Sequence, residues 1–344
     1  MTRTYTRPMR DLEGSIDRIA GETRFSGVVR VDRGDEIELV KAYGLAHRGW
    51  EIPNSIDTRF GIASGTKGLT ALTVMSLIEE GRLDLDTTAR SVLEDDLPLI
   101  DDSVTVEHLL AHRSGIGDYF DEEIERDTNA YVMPISVHEL GSTGEYLRVL
   151  GGLETKFPPD ERFSYSNAGY VVLALIAERT AGVPFHDLVR QRVCEPAGIA
   201  DTEFLRSDEL PGRAALGYLA EDGYRTNVFH LPVRGSGDGG IYSTAADIRA
   251  LWTALFAGHI VSPDLVASMV RPRSEVPSAV QPARYGLGIW LHPTRELVEL
   301  HGSDAGVSFQ TVYDPAERFI YTVLSNTTEG AWPIVEHLDE LIHW

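Results

Sequence analysis

The chain has 344 residues, of which 42% are hydrophobic and 24% charged, as is usual for a soluble globular protein with one large or two smaller domains. Its 53 acidic and 31 basic side chains give a formal charge of −22, which disfavours nucleic acids and anionic membrane surfaces as partners. The single cysteine, Cys194, excludes an intrachain disulfide and a zinc site built on cysteines.

The first residues contain no apolar segment of the kind found in secretory signals. No run in the chain reaches 18 apolar residues, the length at which a membrane-spanning helix becomes a candidate. We therefore expect no transmembrane helix, no membrane partner and a cytoplasmic location.

The first predicted element is a β-hairpin. Apolar and polar residues alternate from Phe25 to Val31, a polar stretch follows at Asp32–Asp35, and a second strand-like segment runs from Glu36 to Gly44. The Arg-Gly-Asp sequence within the polar stretch is explained by this turn, and we do not interpret it as an adhesion motif.

A helix is predicted from Thr66 to Glu80, because apolar residues recur there at helical spacing and Gly81 follows as a C-terminal cap. This places Ser64 at the N-terminus of the helix and Lys67 one turn further on, so that the two side chains share a face. The N-terminus of a helix also favours negative charge developing on the serine oxygen.

The pairing of Ser64 with Lys67 is notable because only three of the 31 basic residues are lysines. An arginine would supply charge but could not give up its proton, whereas a lysine whose pKa is lowered by burial can act as a base. A serine that attacks a carbonyl carbon needs a base. The sequence therefore predicts that Ser64 is a nucleophile and that Lys67 assists it.

The middle of the chain is predicted to be rich in helices. Tyr165, Ser166 and Asn167 stand at a loop-to-helix junction before an apolar helix that starts near Tyr170. Several residues are candidates for the walls of a pocket, although core packing or a solvated loop would also explain them: Tyr119, Phe120, His230 and Asp238.

The C-terminal part returns to strands, which are predicted at Tyr285–Leu291, Val307–Tyr313 and Phe319–Ser325. A final helix is predicted from about Trp332 to Trp344. Strands near both ends of the chain with helices between them indicate an α+β fold, in which both termini build one sheet that carries a helical insertion.

Two other kinds of active site are disfavoured by the sequence. His108 and His112 have the i, i+4 spacing of a zinc-binding helix face, but Glu107 is on the wrong side for a His-Glu-x-x-His motif and no third ligand is evident. The Gly-x-Ser-x-Gly elbow of α/β-hydrolases is also missing around Ser64. We therefore expect neither a metal nor a cofactor.

Together, Ser64-x-x-Lys67 and Tyr165-x-Asn167 resemble the active-site motifs of the serine β-lactamase and penicillin-binding-protein superfamily. The likeness is strongest to the branch that holds class C β-lactamases, D-Ala-D-Ala carboxypeptidases, family VIII esterases and D-aminopeptidases. It covers nearly the whole chain, including the stretches 25–29, 42–46, 58–64, 80–86, 106–116 and 239–245.

This resemblance implies an antiparallel β-sheet flanked by helices, with a mostly helical inserted domain. The sheet domain would comprise residues 1–83 and 236–344, and the helical domain residues 84–235. The active site would lie between them.

The resemblance also implies roles for the motif residues. Ser64 would form an acyl-enzyme, and Lys67 and Tyr165 would share the proton transfers. Asn167 would orient Lys67 or bind the substrate amide. Which of Lys67 and Tyr165 takes the serine proton is left open by the sequence.

The third motif of that superfamily, Lys-Thr-Gly or His-x-Gly on a C-terminal strand, is altered in this chain. If His301 takes the first position, Ser303 replaces the motif glycine; if Gly302 is the motif glycine, Leu300 takes the cationic position. In that register His301 takes the middle position. We favour it, because Gly302 then leaves room for substrate against the strand. The N–H groups of Ser64 and Ser303 would form the oxyanion hole.

Neither register places a permanent cation in the third motif, so binding of a β-lactam or peptide carboxylate is disfavoured. We therefore expect a serine hydrolase that cleaves a small ester, amide or peptide through an acyl-enzyme on Ser64, with esterase or amidase action favoured over β-lactamase action. The alternative is a penicillin-binding-type sensor without turnover, or an inactive relative, since fold does not imply activity.

Overall fold

The computed structural model describes residues 12–125, 127–276 and 283–342. Its largest sheet has eight antiparallel strands in the order β2-β1-β13-β12-β11-β10-β9-β8. The strands are β1 (Gly27–Arg33), β2 (Glu36–Tyr43), β3 (Leu45–His47), β4 (Ile52–Pro53), β5 (Phe60–Gly61), β6 (Glu203–Phe204), β7 (Ile241–Ser243), β8 (Ser274–Val276), β9 (Ala283–Tyr285), β10 (Trp290–Leu291), β11 (Val298–Asp304), β12 (Val307–Asp314) and β13 (Phe319–Ser325).

Helices pack against both faces of this sheet. They are α1 (Leu12–Thr23), α2 (Thr66–Glu79), α3 (Ala89–Leu93), α4 (Val106–Leu110), α5 (Leu147–Leu150), α6 (Asn167–Ala181), α7 (Phe185–Val189), α8 (Glu195–Ala197), α9 (Ala245–Phe256), α10 (Pro263–Met269) and α11 (Trp332–Ile342). Turns of 3-10 helix occur at Ala63–Gly65, Val137–Glu139 and Thr143–Tyr146, and a π-helical turn at Arg190–Cys194.

The strands nearest the chain ends pair directly, since β1 lies between β2 and β13. Successive side chains of a strand point to opposite faces. Accordingly Val29 packs in a cluster with α1 and α11, whereas Val28 belongs to the larger core around α2 and α6. This confirms the α+β prediction of an antiparallel sheet built by both ends of the chain and flanked by helices.

Helices α2 and α6 form the centre of the larger core. Twelve of the 14 residues of α2 are buried, so the helix is surrounded by protein on all sides. Among the described residues between α2 and β7 there is one long helix, α6, and otherwise short helices joined by loops. The segment expected to form a mostly helical insertion therefore contains mainly short helices and loops.

The predicted N-terminal hairpin is confirmed, with a shorter turn than expected. Asp32 and Arg33 belong to β1, and the turn is made by Gly34 and Asp35. Gly34 has a φ of +61°, a left-handed conformation that glycine adopts without a steric penalty.

The prediction of one strand from Tyr285 to Leu291 is wrong. The chain reverses there, and β9 and β10 pair antiparallel with Tyr285 opposite Trp290. The Gly286 N–H donates to the Ile289 carbonyl, and Gly288 has a φ of +79°, so the two glycines allow the tight turn.

The final helix ends at Ile342, and the last two residues of its predicted range lie outside the described part. Among the described residues, no single helix is long and apolar enough to cross a membrane. One bent pair of helices, Asn167–Ala181 with Phe185–Ala197, passes that test only when the two are taken together.

Candidate active site

Ser64 lies in the middle of the 3-10 turn that leads from β5 into α2. Ala63, just before it, has a φ of +42°, a left-handed conformation that costs a residue with a Cβ roughly 1–2 kcal/mol. A Cβ added to Gly65 would lie 2.4 Å from the Phe309 ring. The local sequence therefore holds the serine in a tight, strained turn against β12.

Lys67 is 2% exposed, and its Nζ has three hydrogen-bond acceptors around it. Its Nζ lies 2.9 Å from Ser64 Oγ, 2.8 Å from Asn167 Oδ1 and 2.8 Å from the Asp238 carbonyl oxygen. An ammonium has three N–H donors, and the three acceptors match them. If Lys67 loses a proton, two donors remain for Asn167 and Asp238, and the lone pair faces Ser64.

Burial lowers the pKa of Lys67, because a charged ammonium is poorly solvated inside the protein. The carboxylates of Asp238, Glu122, Asp118 and Asp304 act in the opposite direction, and the net shift is still downward. The structure thus gives Lys67 the property that a base beside a serine requires.

Asn167 is the first residue of α6, and Ser166 is the N-cap of this helix. The Ser166 side chain accepts the Gly169 N–H at 3.0 Å. The Asn167 side-chain amide therefore donates elsewhere, to the Phe120 carbonyl at 3.1 Å and to Glu122 at 3.3 Å. These bonds turn its oxygen towards Lys67.

Tyr165 lies beside this pair, with Lys67 Nζ 4.8 Å from the centre of its ring. The ring stacks on Trp290 at a centroid distance of 6.0 Å and packs on His112 at 4.3 Å. Burial raises the pKa of Tyr165 well above 10, and a hydrogen bond with the Ser64 side chain offsets part of that rise. Tyr165 is therefore held as the neutral phenol.

His112 is a site residue whose role the sequence did not indicate. It is 1% exposed and has a φ of +56°. Its carbonyl accepts the Ser164 N–H at 2.9 Å, and its Nδ1 accepts the Ser166 N–H at 3.0 Å. His112 therefore holds the residues on both sides of Tyr165 while its ring supports the tyrosine ring.

The main chain of β11 turns part of its edge towards the site. The His292 N–H donates to the Leu297 carbonyl, and Trp290 lies opposite Glu299. Hydrogen-bonded pairs alternate along an antiparallel ladder, so the N–H groups of Glu299 and Ser303 point to the β10 side and not to β12. Because β10 begins at Trp290, opposite Glu299, no described strand of this sheet pairs with Ser303 on that side.

Gly302 brings this strand close to the serine turn. A Cβ added there would lie 2.5 Å from both the Ser64 nitrogen and the Ile62 carbonyl oxygen. Leu300 faces the same side, where its side chain packs against Gly68 of α2. Gly302 is thus the residue of close approach to the serine turn, and Leu300 faces helix α2.

His301 points to the other face of the sheet, where its ring stacks on Trp290 at 4.9 Å. Burial opposes a charge on this ring, but hydrogen-bonded Glu299 outweighs that effect and raises the pKa of His301. The third motif therefore contains a titratable cation, although no permanent one.

An open cavity extends from Ser64 and Ser303 along the helical side of the site. The four residues expected as candidate walls, Tyr119, Phe120, His230 and Asp238, all line it. Glu122 and Asp304 also line it, and no spacing signal in the sequence distinguished them from other acidic residues.

The two histidines at i, i+4 are engaged with the main chain. His108 Nδ1 accepts the Thr105 N–H at 3.2 Å as part of a helix cap, and helix α4 ends before His112. Within residues 12–125, 127–276 and 283–342, no group of three His, Cys, Asp or Glu side chains is placed to hold a metal ion.

Comparison with known proteins assigns the chain to a family. The Beta-lactamase family profile matches residues 12–340. The chain is 30% identical to Esterase EstB of Burkholderia gladioli over 76% of this chain and 73% of the esterase. It is 25% identical to a putative penicillin-binding protein, PbpX, of Bacillus subtilis over 93% of this chain and 75% of PbpX.

Among solved structures, a penicillin-binding protein from Bacillus halodurans superposes with a TM-score of 0.88 at 33% identity. The match covers 95% of this chain and 99% of that protein.

Proposed function

The chain belongs to the β-lactamase family, and we propose that it is a serine hydrolase that cleaves a small ester or amide through an acyl-enzyme on Ser64. One observation carries the proposal. Lys67 Nζ lies 2.9 Å from Ser64 Oγ at a position where burial lowers the lysine pKa. Acyl transfer needs a nucleophile within hydrogen-bond distance of a base whose pKa is suited to accepting its proton.

In the acylation step, neutral Lys67 takes the proton of Ser64 Oγ while the oxygen bonds to the substrate carbonyl carbon. The carbonyl oxygen becomes an anion, and the N–H groups of Ser64 and Ser303 stabilise it. We assign the base role to Lys67 because its pKa is lowered, whereas that of Tyr165 is raised well above 10.

The tetrahedral intermediate then collapses. The bond to the leaving group breaks, the Tyr165 hydroxyl gives that group a proton, and Lys67 returns its proton to Tyr165. Both residues regain their first protonation states, and the net products are the acyl-enzyme and the protonated leaving group. Water then attacks the acyl carbon, and Lys67 and Tyr165 transfer the proton of that water to Ser64 Oγ. The bond between Ser64 and the acyl group breaks, and the acid product is released.

The preference for esters and amides over β-lactams rests on the third motif. Leu300 is 5% exposed and apolar, so the position expected to bind a substrate carboxylate offers no charge. His301, the nearby titratable cation, points to the other face of the sheet and is paired with Glu299. A substrate without a carboxylate fits this arrangement better. The esterase among the relatives supports the same preference.

The test is hydrolysis of p-nitrophenyl butyrate by the wild type, by Ser64→Ala and by Ser103→Ala, which alters an exposed serine outside the site. We expect turnover in the wild type and in Ser103→Ala, and its loss in Ser64→Ala. Intact mass should show one butyryl adduct on the wild type and none on Ser64→Ala.

Two other results would contradict the proposal in different ways. A stoichiometric burst that stops after one adduct would indicate a covalently acylated sensor. Equal turnover in all three proteins would mean that Ser64 is not the nucleophile.

A further inference from the structure

The cleft has two chemically different ends on either side of Ser64. At one end, Tyr165 and His301 both stack on Trp290, so these three rings lie together. At the other end, Asp304 follows Ser303 along β11, and Asp238 and Glu122 line the open cavity.

The proposed mechanism assigns these ends to the two halves of the substrate. Tyr165 protonates the leaving group, so the leaving group must lie at the end with Trp290. The acyl group, whose carbonyl oxygen faces the Ser303 N–H, then extends the other way. The cavity beyond Ser303 is therefore the acyl pocket.

The charged lining of this acyl pocket is entirely acidic. Its described lining residues include the carboxylates of Glu122, Asp238 and Asp304, and neither a lysine nor an arginine. Lys67 is nearby but does not line the cavity, and its Nζ lies within hydrogen-bond distance of three acceptors of the protein. Phe120 and Met133 add apolar wall. The pocket thus combines negative charge with an apolar surface.

Asp304 keeps one carboxylate oxygen available to a ligand. Asp304 Oδ1 accepts the Ala305 N–H at 2.9 Å, and Oδ2 has no partner among the described residues. Asp238 accepts the Tyr119 hydroxyl through Oδ2. Burial raises the pKa of Asp304 to about 7 and also raises that of Asp238. A bound positive charge would relieve this cost of burying carboxylates.

A second feature of the same wall also indicates a polar ligand. Ser207 and His230 line the cavity, and two of their atoms, Ser207 Oγ and His230 Nδ1, are buried and have no hydrogen-bond partner among the described residues. Burial, with a contribution from Arg225, lowers the pKa of His230, so the ring is neutral there. Buried polar atoms without partners are uncommon in proteins, and a ligand in the cavity is one way to satisfy them.

We propose that the acyl group of the substrate carries a positively charged nitrogen, which Asp304 and Asp238 bind in the acyl pocket. The inference rests on the proposed acyl-enzyme function, because that function decides which end of the cleft holds the acyl group. Glu122, at the exposed rim, adds attraction for a cation entering the cleft.

The test compares two esters of the same size and shape. In 4-nitrophenyl 4-(trimethylammonio)butyrate the terminal group is a permanent cation, and in 4-nitrophenyl 5,5-dimethylhexanoate a carbon replaces that nitrogen. We expect kcat/KM for the cationic ester to exceed that for the neutral ester by about tenfold or more, with the ratio falling as salt is added. A ratio of one or less would overturn the proposal.

Variants then locate the effect. Asp304→Asn should lower the cationic-to-neutral ratio by about fivefold or more, because it removes a charge next to the bound nitrogen. Asp35→Asn is the matched control: it removes the same charge at an exposed turn at the opposite end of the sheet, and should keep the wild-type ratio. An equal fall in both variants would mean that overall charge, and not the acyl pocket, sets the preference.

The wild-type comparison needs no variant, so a poorly folded Asp304→Asn would leave the proposal testable. The two failures also differ. If neither ester gives Ser64-dependent turnover, the proposed function fails. If the neutral ester is cleaved through Ser64 and the cationic ester is not preferred, only the inference about the acyl group fails.

Discussion

Lys67 is a single residue in which burial and catalysis are linked. Because burial lowers its pKa, the neutral base should form at a lower pH than for a free lysine, and kcat/KM should fall as pH drops through that pKa. Lys67→Arg keeps the charge but cannot give up a proton, so we expect turnover to fall by roughly 10²–10⁴-fold. Ester hydrolysis across a pH series, with Lys41→Arg as control, measures both effects.

Lys41 is a suitable control because it lies on β2 in ion pairs with Glu13 and Asp17, away from the site. Its replacement should leave the pH profile as in the wild type. Near-normal turnover in Lys67→Arg would show that this residue is not the base.

His112 offers a second test at the scale of one residue, because it holds both neighbours of Tyr165. His112→Leu removes the Nδ1 acceptor, and we expect kcat to fall by about tenfold or more with little change in KM, since Tyr165 acts in the chemical steps. His112→Asn should recover much of the loss, because its side-chain oxygen can accept the Ser166 N–H and asparagine tolerates positive φ.

Melting temperatures of both variants show whether a loss of kcat comes from misplacement of Tyr165 or from a less stable fold. If kcat follows the melting temperature and Asn rescues neither, His112 has only a structural role.

Some residues could be predicted from the sequence and others could not, for a physical reason. Ser64 and Lys67 are close in sequence and share one helical turn, so their contact follows from local geometry. Asp304 and His112 have no local signal. Their roles depend on packing between segments that are far apart in the chain.

At the scale of elements, the approach of β11 to the serine turn depends on Gly302. Gly302→Ala would place a Cβ 2.5 Å from the Ser64 nitrogen and the Ile62 carbonyl oxygen, which are main-chain atoms and cannot rotate away. We expect the turn to shift and turnover to fall by about 10²-fold, because small misplacements of catalytic groups have effects of that size.

The readout is the rate at which a fluorophosphonate probe labels Ser64, together with circular dichroism. Gly21→Ala is the matched control: it lies in α1 with nothing within 4 Å of an added Cβ, and should label like the wild type. Normal labelling of Gly302→Ala would show that the close approach is not needed.

The predicted elements agree with the structure where a pattern is long and regular. The N-terminal hairpin, α2, β12 and β13 follow from their periodicity. The turn between β9 and β10 does not, because an apolar segment interrupted by two glycines fits one strand as well as a hairpin. That turn places Trp290 between Tyr165 and His301. Because the turn was not predicted, this part of the site was not predicted either.

At the scale of the whole molecule, the site joins three distant parts of the chain. Ser64 and Lys67 come from the start of α2, Tyr165 and Asn167 from the start of α6, and Ser303 from the edge of β11. The likeness of motifs predicted this set, but distances between its members depend on how α2 and α6 pack beneath the sheet. Position along the chain does not determine that packing.

The two ends of the chain meet in the sheet, where β1 pairs with β13, and this predicts where a substitution should destabilise the fold. Helices α1 and α11 cover one face together, and Leu338 of α11 is 1% exposed within that cluster. Leu338→Ala should lower the free energy of unfolding by about 2–5 kcal/mol, through lost burial and the cavity left behind. Leu341→Ala is the matched control, because Leu341 is 37% exposed on the same helix and its loss should cost less than about 1 kcal/mol.

Urea unfolding followed by tryptophan fluorescence measures both variants on one scale. A large difference between them would show that the C-terminal helix is an integral part of the core, since β13, which it covers, pairs with β1 near the other chain end. Equal, small effects would mean that α11 can detach without unfolding the sheet. In that case the pairing of β1 with β13, and not the helical cover, would be what holds the two ends of the chain together.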